Sequence, residues 1–341
     1  MNNLFDIISK IKSNYIPKKY IKYEWVELLE QILNTKCNYH TENKKLEKSK
    51  SIINLLEQKY NISNIDELDS YVVRQKKDLN RLINCNSIIN SVNDPIKKDI
   101  LQKIYSNDFI PLKVIQWIEI IADNYIKITF ENITINIIDS INTDSILINH
   151  IINICRWLFA INSTPYKLLN IYLFLSPEKK NANEQCLKTD SNLEHFCNLS
   201  RTNINSGASL YENWIQIFRK EEILKVLIHE LIHYLELDIN SHSHIIDKHC
   251  SQINMHPHSN DILVNEAYTE LLAIYLHTMY VGKIKYPNNF EEKFWKLYMI
   301  EEKYTIYQIN KIFKNYSIPD LNYFKTPNLS LIHISEPTRP Y

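Results

Sequence analysis

The residues with the clearest potential for chemistry lie in the segment VLIHELIHYL, residues 226–235. Because His229 and His233 are four positions apart, their imidazoles leave the same face of a helix one turn from each other. That spacing allows two ring nitrogens to bind one zinc ion at about 2.0–2.1 Å. Glu230 lies beside them, where its carboxylate reaches a water on the metal rather than the metal itself. The segment predicts a metal-binding helix that carries its own general base.

A catalytic zinc needs a third protein ligand and an open position for water. The metzincin pattern would continue with glycine at position 236 and histidine at position 239, but Glu236 and Ile239 stand there. The metzincin branch is therefore excluded, and the third ligand has to come from elsewhere.

Downstream, residues 260–271 read NDILVNEAYTEL. This segment resembles the second motif of the gluzincin metallopeptidases, in which a helix bearing Asn-Glu-Ala or Asn-Glu-Gly supplies a glutamate ligand. The resemblance covers residues 214–275 and implies that Glu266 is the third zinc ligand. It also implies that Glu270, one turn later, orients a ligating imidazole. Thermolysin-like members have Asp at that position, so Glu270 departs from the family pattern.

The segment between His233 and Glu266 is longer than is usual in thermolysin-like or aminopeptidase-like members. Its insert, 242–258, holds six further side chains of metal-ligand type: His242, His244, His249, Cys250, His256 and His258. The insert is either a solvated loop or a source of substrate contacts, a second metal site or an alternative third ligand.

The elements around the motif predict an α+β fold. Period-two alternation predicts a hairpin that turns at Glu131-Asn132, and Thr143-Asp144 begins an apolar helix. Further strands are predicted at 168–175 and 213–218, and helices at 261–280 and 289–315. We expect the motif helix to pack beneath a small mixed sheet, in a zincin-like catalytic domain.

The family resemblance also implies an edge strand that pairs with extended peptide substrate. The segment NINSGAS, 203–209, is the candidate, which makes Asn205 and Gly207 candidate substrate-binding residues. A simple turn at Gly207 is the alternative. The resemblance further implies a Tyr or His that stabilises the oxyanion, which the sequence does not single out among its 22 tyrosines.

Four segments follow from these patterns. Residues 1–124 predict a helical domain, with Asp94-Pro95 as a helix start and a protein partner as its expected ligand. Residues 125–285 are the predicted catalytic domain and 286–328 its C-terminal helical part. Residues 329–341, which begin LSLIHISEPTR, resemble a translated sequencing adapter, so we expect this tail to be non-native.

Composition excludes several classes of function. Only two glycines are present, too few for a Walker A loop or a GxGxxG nucleotide-binding turn. The formal net charge of zero gives no indication of nucleic-acid or membrane binding. Six cysteines without a CxxC pair, and no signal-peptide core or membrane span, favour a cytoplasmic protein.

The sequence thus predicts a zinc-dependent metallopeptidase with one Zn²⁺ per chain and a peptide or protein substrate. Zinc would be held by His229, His233 and Glu266, and Glu230 would be the general base. The alternative is a catalytically inactive zinc-binding or helical interaction protein that retains the motif helix.

Overall fold

The computed structural model describes residues 18–45, 94–105, 110–141, 143–161, 168–180, 205–210, 214–238 and 264–315. Seven α-helices and six strands lie in these segments. In chain order they are α1 (Lys18–Asn34), β1 (His40–Lys45), α2 (Pro95–Tyr105), α3 (Leu112–Ile120), β2 (Asn124–Phe130), β3 (Ile133–Asp139), α4 (Ser145–Ile161), β4 (Leu169–Phe174), β5 (Gly207–Leu210), β6 (Trp214–Ile217), α5 (Ile223–Tyr234), α6 (Val264–Lys285) and α7 (Phe290–Asn315).

The six strands form one mixed sheet in the order β1-β2-β3-β4-β6-β5. Strands β3, β4 and β6 run parallel, whereas β1, β2 and β5 each pair antiparallel with their neighbours. Strand β5 is therefore an edge strand, and its neighbour β6 is the strand that leads into the motif helix. The predicted α+β fold is confirmed.

The predicted hairpin is present, and its turn explains its register. Phe130 pairs with Ile133, and Glu131 adopts a left-handed φ of 48° in the two-residue turn between them. Strands β3 and β4 are parallel, so a crossover must join them, and α4 provides it. As predicted, Asp144 caps this helix, because its Oδ1 accepts the backbone N–H of Ile146 at 2.9 Å.

Alternate residues of the central strands pack into two cores on opposite faces of the sheet. Ile137 and Leu173 belong to the larger core, which includes residues of α4, α5 and α6. Their neighbours Ile138 and Phe174 belong to the smaller core, which α2 and α3 cover. This period-two division places the motif helix on the larger-core face of the sheet.

The prediction of helix throughout residues 1–124 is wrong at β1. Its sequence, HTENKK, is polar and mostly exposed, so it lacks the alternation of apolar and polar residues that would predict a strand. Backbone pairing with β2, from His40 opposite Thr129 to Lys45 opposite Asn124, holds it in place instead. The predicted start of α2 is confirmed, because Asp94 Oδ1 accepts the N–H groups of Ile96 and Lys97 at 2.9 Å each.

The division of the chain into domains stays a prediction. Helix α7, within 286–328, packs on α6 through Phe294 and Tyr298. The insert 242–258 and the tail 329–341 lie outside the described residues. Among the helices that the structure describes, none combines the length and apolarity that a bilayer crossing needs.

Candidate metal centre

Helix α5 begins where strand β6 leaves the sheet. A single 3₁₀ turn, Lys220–Glu222, joins the strand to Ile223. The buried Glu222 carboxylate accepts a hydrogen bond from the Ser206 hydroxyl and pairs with Lys180 Nζ at 3.0 Å. The start of α5 is therefore fixed to the residue that precedes edge strand β5 and to the loop that follows β4.

The predicted ligands converge at one point. His229 Nε2 and His233 Nε2 are 3.2 Å apart. Glu266 Oε2 lies 3.3 Å from His233 Nε2 and 3.4 Å from His229 Nε2. The three atoms form a nearly equilateral triangle, and in the described part of the chain this is the group of such side chains that could hold a metal ion. Helix α6 thus supplies Glu266 across from α5, as the sequence predicts.

The far nitrogen of each imidazole contacts a carboxylate. His229 Nδ1 lies 3.2 Å from Glu270 Oε2, and His233 Nδ1 lies 2.9 Å from Asp238 Oδ2. An N–H at each Nδ1 leaves each Nε2 lone pair directed into the triangle, as in most metal-ligating histidines. The other Glu270 oxygen accepts from Lys225 Nζ, so this carboxylate joins a lysine to a ligand.

The centre is an environment that favours positive charge. Burial alone lowers the pKa of His229, but its hydrogen bonds to Glu266 and Glu270 outweigh burial and raise the pKa to about 9. Burial also lowers the pKa of His233, but the hydrogen bonds to Asp238 and Glu266 outweigh burial and raise this pKa to about 10. Burial raises the pKa of Glu266, yet the two histidines lower it well below its ordinary value. A divalent cation would satisfy the same field.

Glu230 lies beside the triangle and is almost fully buried, with 6% of its surface exposed. Burial raises its pKa, whereas His229, His233 and a hydrogen bond from the Ser209 side chain lower it. The balance is a carboxyl group with a raised pKa. Such a group can take up a proton near neutral pH more readily than an exposed glutamate.

Edge strand β5 crosses α5 directly over Glu230. A Cβ added at Gly207 would lie 2.6 Å from Val226 Cγ1 and 2.8 Å from Glu230 Oε1. The φ of Gly207 is not positive, so close approach rather than backbone conformation requires glycine here. The alternative of a simple turn at Gly207 is wrong, because this residue begins a strand.

The candidate substrate-binding residues have different surroundings. The backbone oxygen of Asn205 accepts a hydrogen bond from Arg219 Nε at 3.2 Å, which holds the entry to β5. Gly207 forms part of the edge strand itself. Substrate binding by either residue stays a prediction. The Tyr or His expected to stabilise the oxyanion also stays a prediction. Tyr280, one of several buried tyrosines, lies between α4 and α6, where its hydroxyl is 3.0 Å from His150 Nδ1.

Sequence reasoning missed three residues of this centre: Asp238, Lys225 and Ser209. Each had a signal. Asp238 is among the first charged residues after the motif, Lys225 lies one helical turn before His229, and Ser209 lies two strand positions from Gly207, on the same face. The competing ligands of the insert lie outside the described residues.

Comparison with known proteins gives little further information. No known protein family and no solved structure matches this chain. Over 121 residues the chain is 29% identical to an uncharacterized protein of Acanthamoeba polyphaga mimivirus. The match covers 34% of this chain and 30% of that protein's length, so the chain spans less than a third of this relative.

Proposed function

We propose that this protein is a zinc-dependent metallopeptidase. One zinc ion per chain is held by His229, His233 and Glu266, and Glu230 is the general base. The observation that carries the proposal is the triangle of donor atoms, whose sides measure 3.2, 3.3 and 3.4 Å. Two ligands of a tetrahedral zinc at about 2.0–2.1 Å are about 3.3–3.4 Å apart, so the donor atoms fit zinc as they stand.

The donor set favours a catalytic centre over a structural one. Structural zinc sites are closed by four protein ligands, whereas catalytic sites have three and keep one position open. Here the described residues contribute two imidazoles and one carboxylate. Next to them stands Glu230, a buried carboxyl group that a purely structural site does not need.

Zinc bound by such residues supplies Lewis acidity, which lowers the pKa of a water molecule towards about 7 and polarises a carbonyl group. Glu230 accepts the proton that the attacking water gives up and then delivers it to the departing amine nitrogen. The hydrogen bond from the Ser209 side chain holds the Glu230 carboxylate in place for both transfers. Glu270 and Asp238 keep the two imidazoles in the tautomer that presents Nε2.

The edge strand supports a peptide as the substrate. Strand β5 lies at the end of the described sheet, with β6 on one side and no described strand on the other. An extended peptide that added to β5 as a further strand would form main-chain hydrogen bonds with it. Because β5 passes over Glu230, the scissile bond of such a peptide would lie beside the general base.

Replacement of Glu230 by Gln tests the proposal. The amide keeps the size of the side chain but accepts no proton, so we expect a loss of about 10²–10⁴-fold in turnover of a peptide library. Zinc content should stay at the wild-type level, because Glu230 is not a ligand. Glu221→Gln is the matched control, since this exposed glutamate precedes the same helix and should leave turnover unchanged.

Two outcomes would contradict the proposal. Full turnover in the Glu230→Gln variant would remove the general base from the mechanism. A wild-type chain that binds zinc but cleaves nothing in the library would favour the inactive zinc-binding protein instead.

A further inference from the structure

Helix α5 ends in a turn that folds the chain back towards His233. The N–H of Glu236 donates to the oxygen of His233 at 3.0 Å, and the N–H of Leu237 donates to that of Ile232 at 2.9 Å. This bond pair defines a Schellman motif, in which the residue after the C-cap, here Leu235, takes a left-handed conformation. Glu236 does so with a φ of 53°.

The conformation of Glu236 is unusual for its residue type. Glycine is the usual residue at this position, because a left-handed φ brings a Cβ close to the backbone. A strained conformation of this kind persists where contacts of the surrounding structure hold the residue in it. Here Leu237 packs against the larger core, which contains Ile232, and the next residue is Asp238.

The result of the turn is the contact between Asp238 and a predicted metal ligand. Asp238 Oδ2 lies 2.9 Å from His233 Nδ1, on the side of the ring away from Glu266. Asp238 therefore cannot use this contact to bind the metal. It faces the nitrogen that must carry the proton if Nε2 is to act as a ligand.

The two imidazoles are thus held in different ways. Glu270 reaches His229 from α6 and is itself paired with Lys225, in a contact whose two side chains are 8% and 11% exposed. Asp238 reaches His233 from the same segment of chain and keeps 24% of its side chain exposed. The contact at His233 Nδ1 hence depends on a local turn, whereas the contact at His229 Nδ1 depends on a second helix.

We infer that Asp238 is a positioning residue: through His233 Nδ1 it fixes the tautomer and ring orientation of this ligand, and it thereby sets the affinity of the centre for zinc. The inference rests on the proposed function, which supplies the zinc. It adds a residue that neither the motif nor the comparisons assign.

The test is zinc affinity, measured by competition with a chromophoric chelator on metal-free full-length chains. Loss of a partner of this type costs about 10–100-fold in metal affinity, which is the loss expected for Asp238→Ala. Asp238→Asn keeps an oxygen that accepts from Nδ1, so it should recover most of that loss. Glu236→Gln removes one negative charge from the same turn and should stay within about twofold of wild type, because an exposed charge is screened.

Cobalt absorption and thermal unfolding separate positioning from folding. With Co²⁺ in place of zinc, Asp238→Ala should shift the visible bands, because the geometry of the His233 ligand changes. The metal-free variant should keep the wild-type circular dichroism spectrum and a cooperative unfolding transition, at a lower temperature because the contact with Asp238 raises the pKa of His233 and so stabilises the folded state.

The inference is overturned if Asp238→Ala binds zinc as tightly as wild type. It is also overturned if Glu236→Gln loses as much affinity as Asp238→Ala, since a general loss of charge would then be the cause. A wild-type chain that binds no zinc would overturn the proposed function first, so the two failures are distinguishable.

Discussion

Gly207 lies where the edge strand crosses the motif helix, and Gly207→Ala tests whether that approach is as close as the structure has it. The added methyl carbon would lie 2.6 Å from Val226 Cγ1 and 2.8 Å from Glu230 Oε1. Ordinary carbon–carbon contacts are about 3.5–4.0 Å, so the overlap is about 1 Å. Neither neighbour moves easily: Val226 is β-branched in a helix and 2% exposed, and Glu230 is buried.

The strand or the helix must therefore shift. Overpacking of this kind costs about 1–3 kcal/mol, which is the loss expected in the free energy of unfolding. Displacement of Glu230 by about 1 Å should also reduce peptide turnover by on the order of 100-fold. Zinc binding should persist, since the two atoms nearest to the new methyl group do not belong to His229, His233 or Glu266.

The second glycine provides the matched control. A Cβ at Gly282 in α6 would lie 3.3 Å from Phe290 Cε2, at the outer end of an aromatic ring. Alanine improves helix propensity by about 0.8–1.0 kcal/mol, which offsets the tight contact. Gly282→Ala should thus stay within about 1 kcal/mol of wild type.

Urea unfolding followed by circular dichroism measures both variants, with turnover and zinc content measured on the same samples. Equal stability of Gly207→Ala and wild type would refute the close packing of β5 on α5. A loss of stability without any loss of turnover would refute the placement of Glu230 beneath the strand.

Two further predictions concern the smaller core. Asp94→Ala removes the cap of α2 and should lower the free energy of unfolding by about 1 kcal/mol in urea, whereas Asp94→Ser should retain most of it; equal stability of the alanine variant and wild type would contradict the cap. Burial raises the pKa of Glu119 from an ordinary 4.5 to about 7. Between these values the folded state therefore binds more protons than the unfolded state. As the pH rises from about 4.5 to about 7, this carboxyl group makes folding progressively less favourable. Relative to wild type, Glu119→Gln should therefore gain stability across that window, by up to about 3 kcal/mol. If urea unfolding gives the same difference in free energy between the variant and wild type at every pH from 4.5 to 7, Glu119 ionises normally.

Those parts of the fold with strong local signals were predictable from the sequence. The hairpin at Glu131-Asn132 has clear period-two alternation on both sides, and Asp94 and Asp144 are side chains that cap helices. Strand β1 had no such signal. Its polar residues are held by backbone pairing with β2, and pairing partners distant in sequence leave no trace in a local pattern.

The same distinction applies to the centre. His229, Glu230 and His233 share one helical turn, so spacing alone brings them together. Glu266 required a second motif on another helix, and the structure places it within 3.4 Å of both imidazoles. Asp238 was not predicted because it reaches His233 only through the left-handed turn at Glu236, where no glycine marks the turn in the sequence.

Zinc content and zinc K-edge X-ray absorption, measured on wild type beside Glu266→Ala, test whether His229, His233 and Glu266 hold a zinc ion. We predict one zinc per wild-type chain, bound by nitrogen and oxygen atoms at about 2.0–2.1 Å, with two imidazoles among its ligands. The variant should lose most of its zinc. Zinc that stays fully bound in Glu266→Ala, or a sulfur ligand at about 2.3 Å in wild type, would contradict the assignment and direct attention to Cys250 and the histidines of the insert.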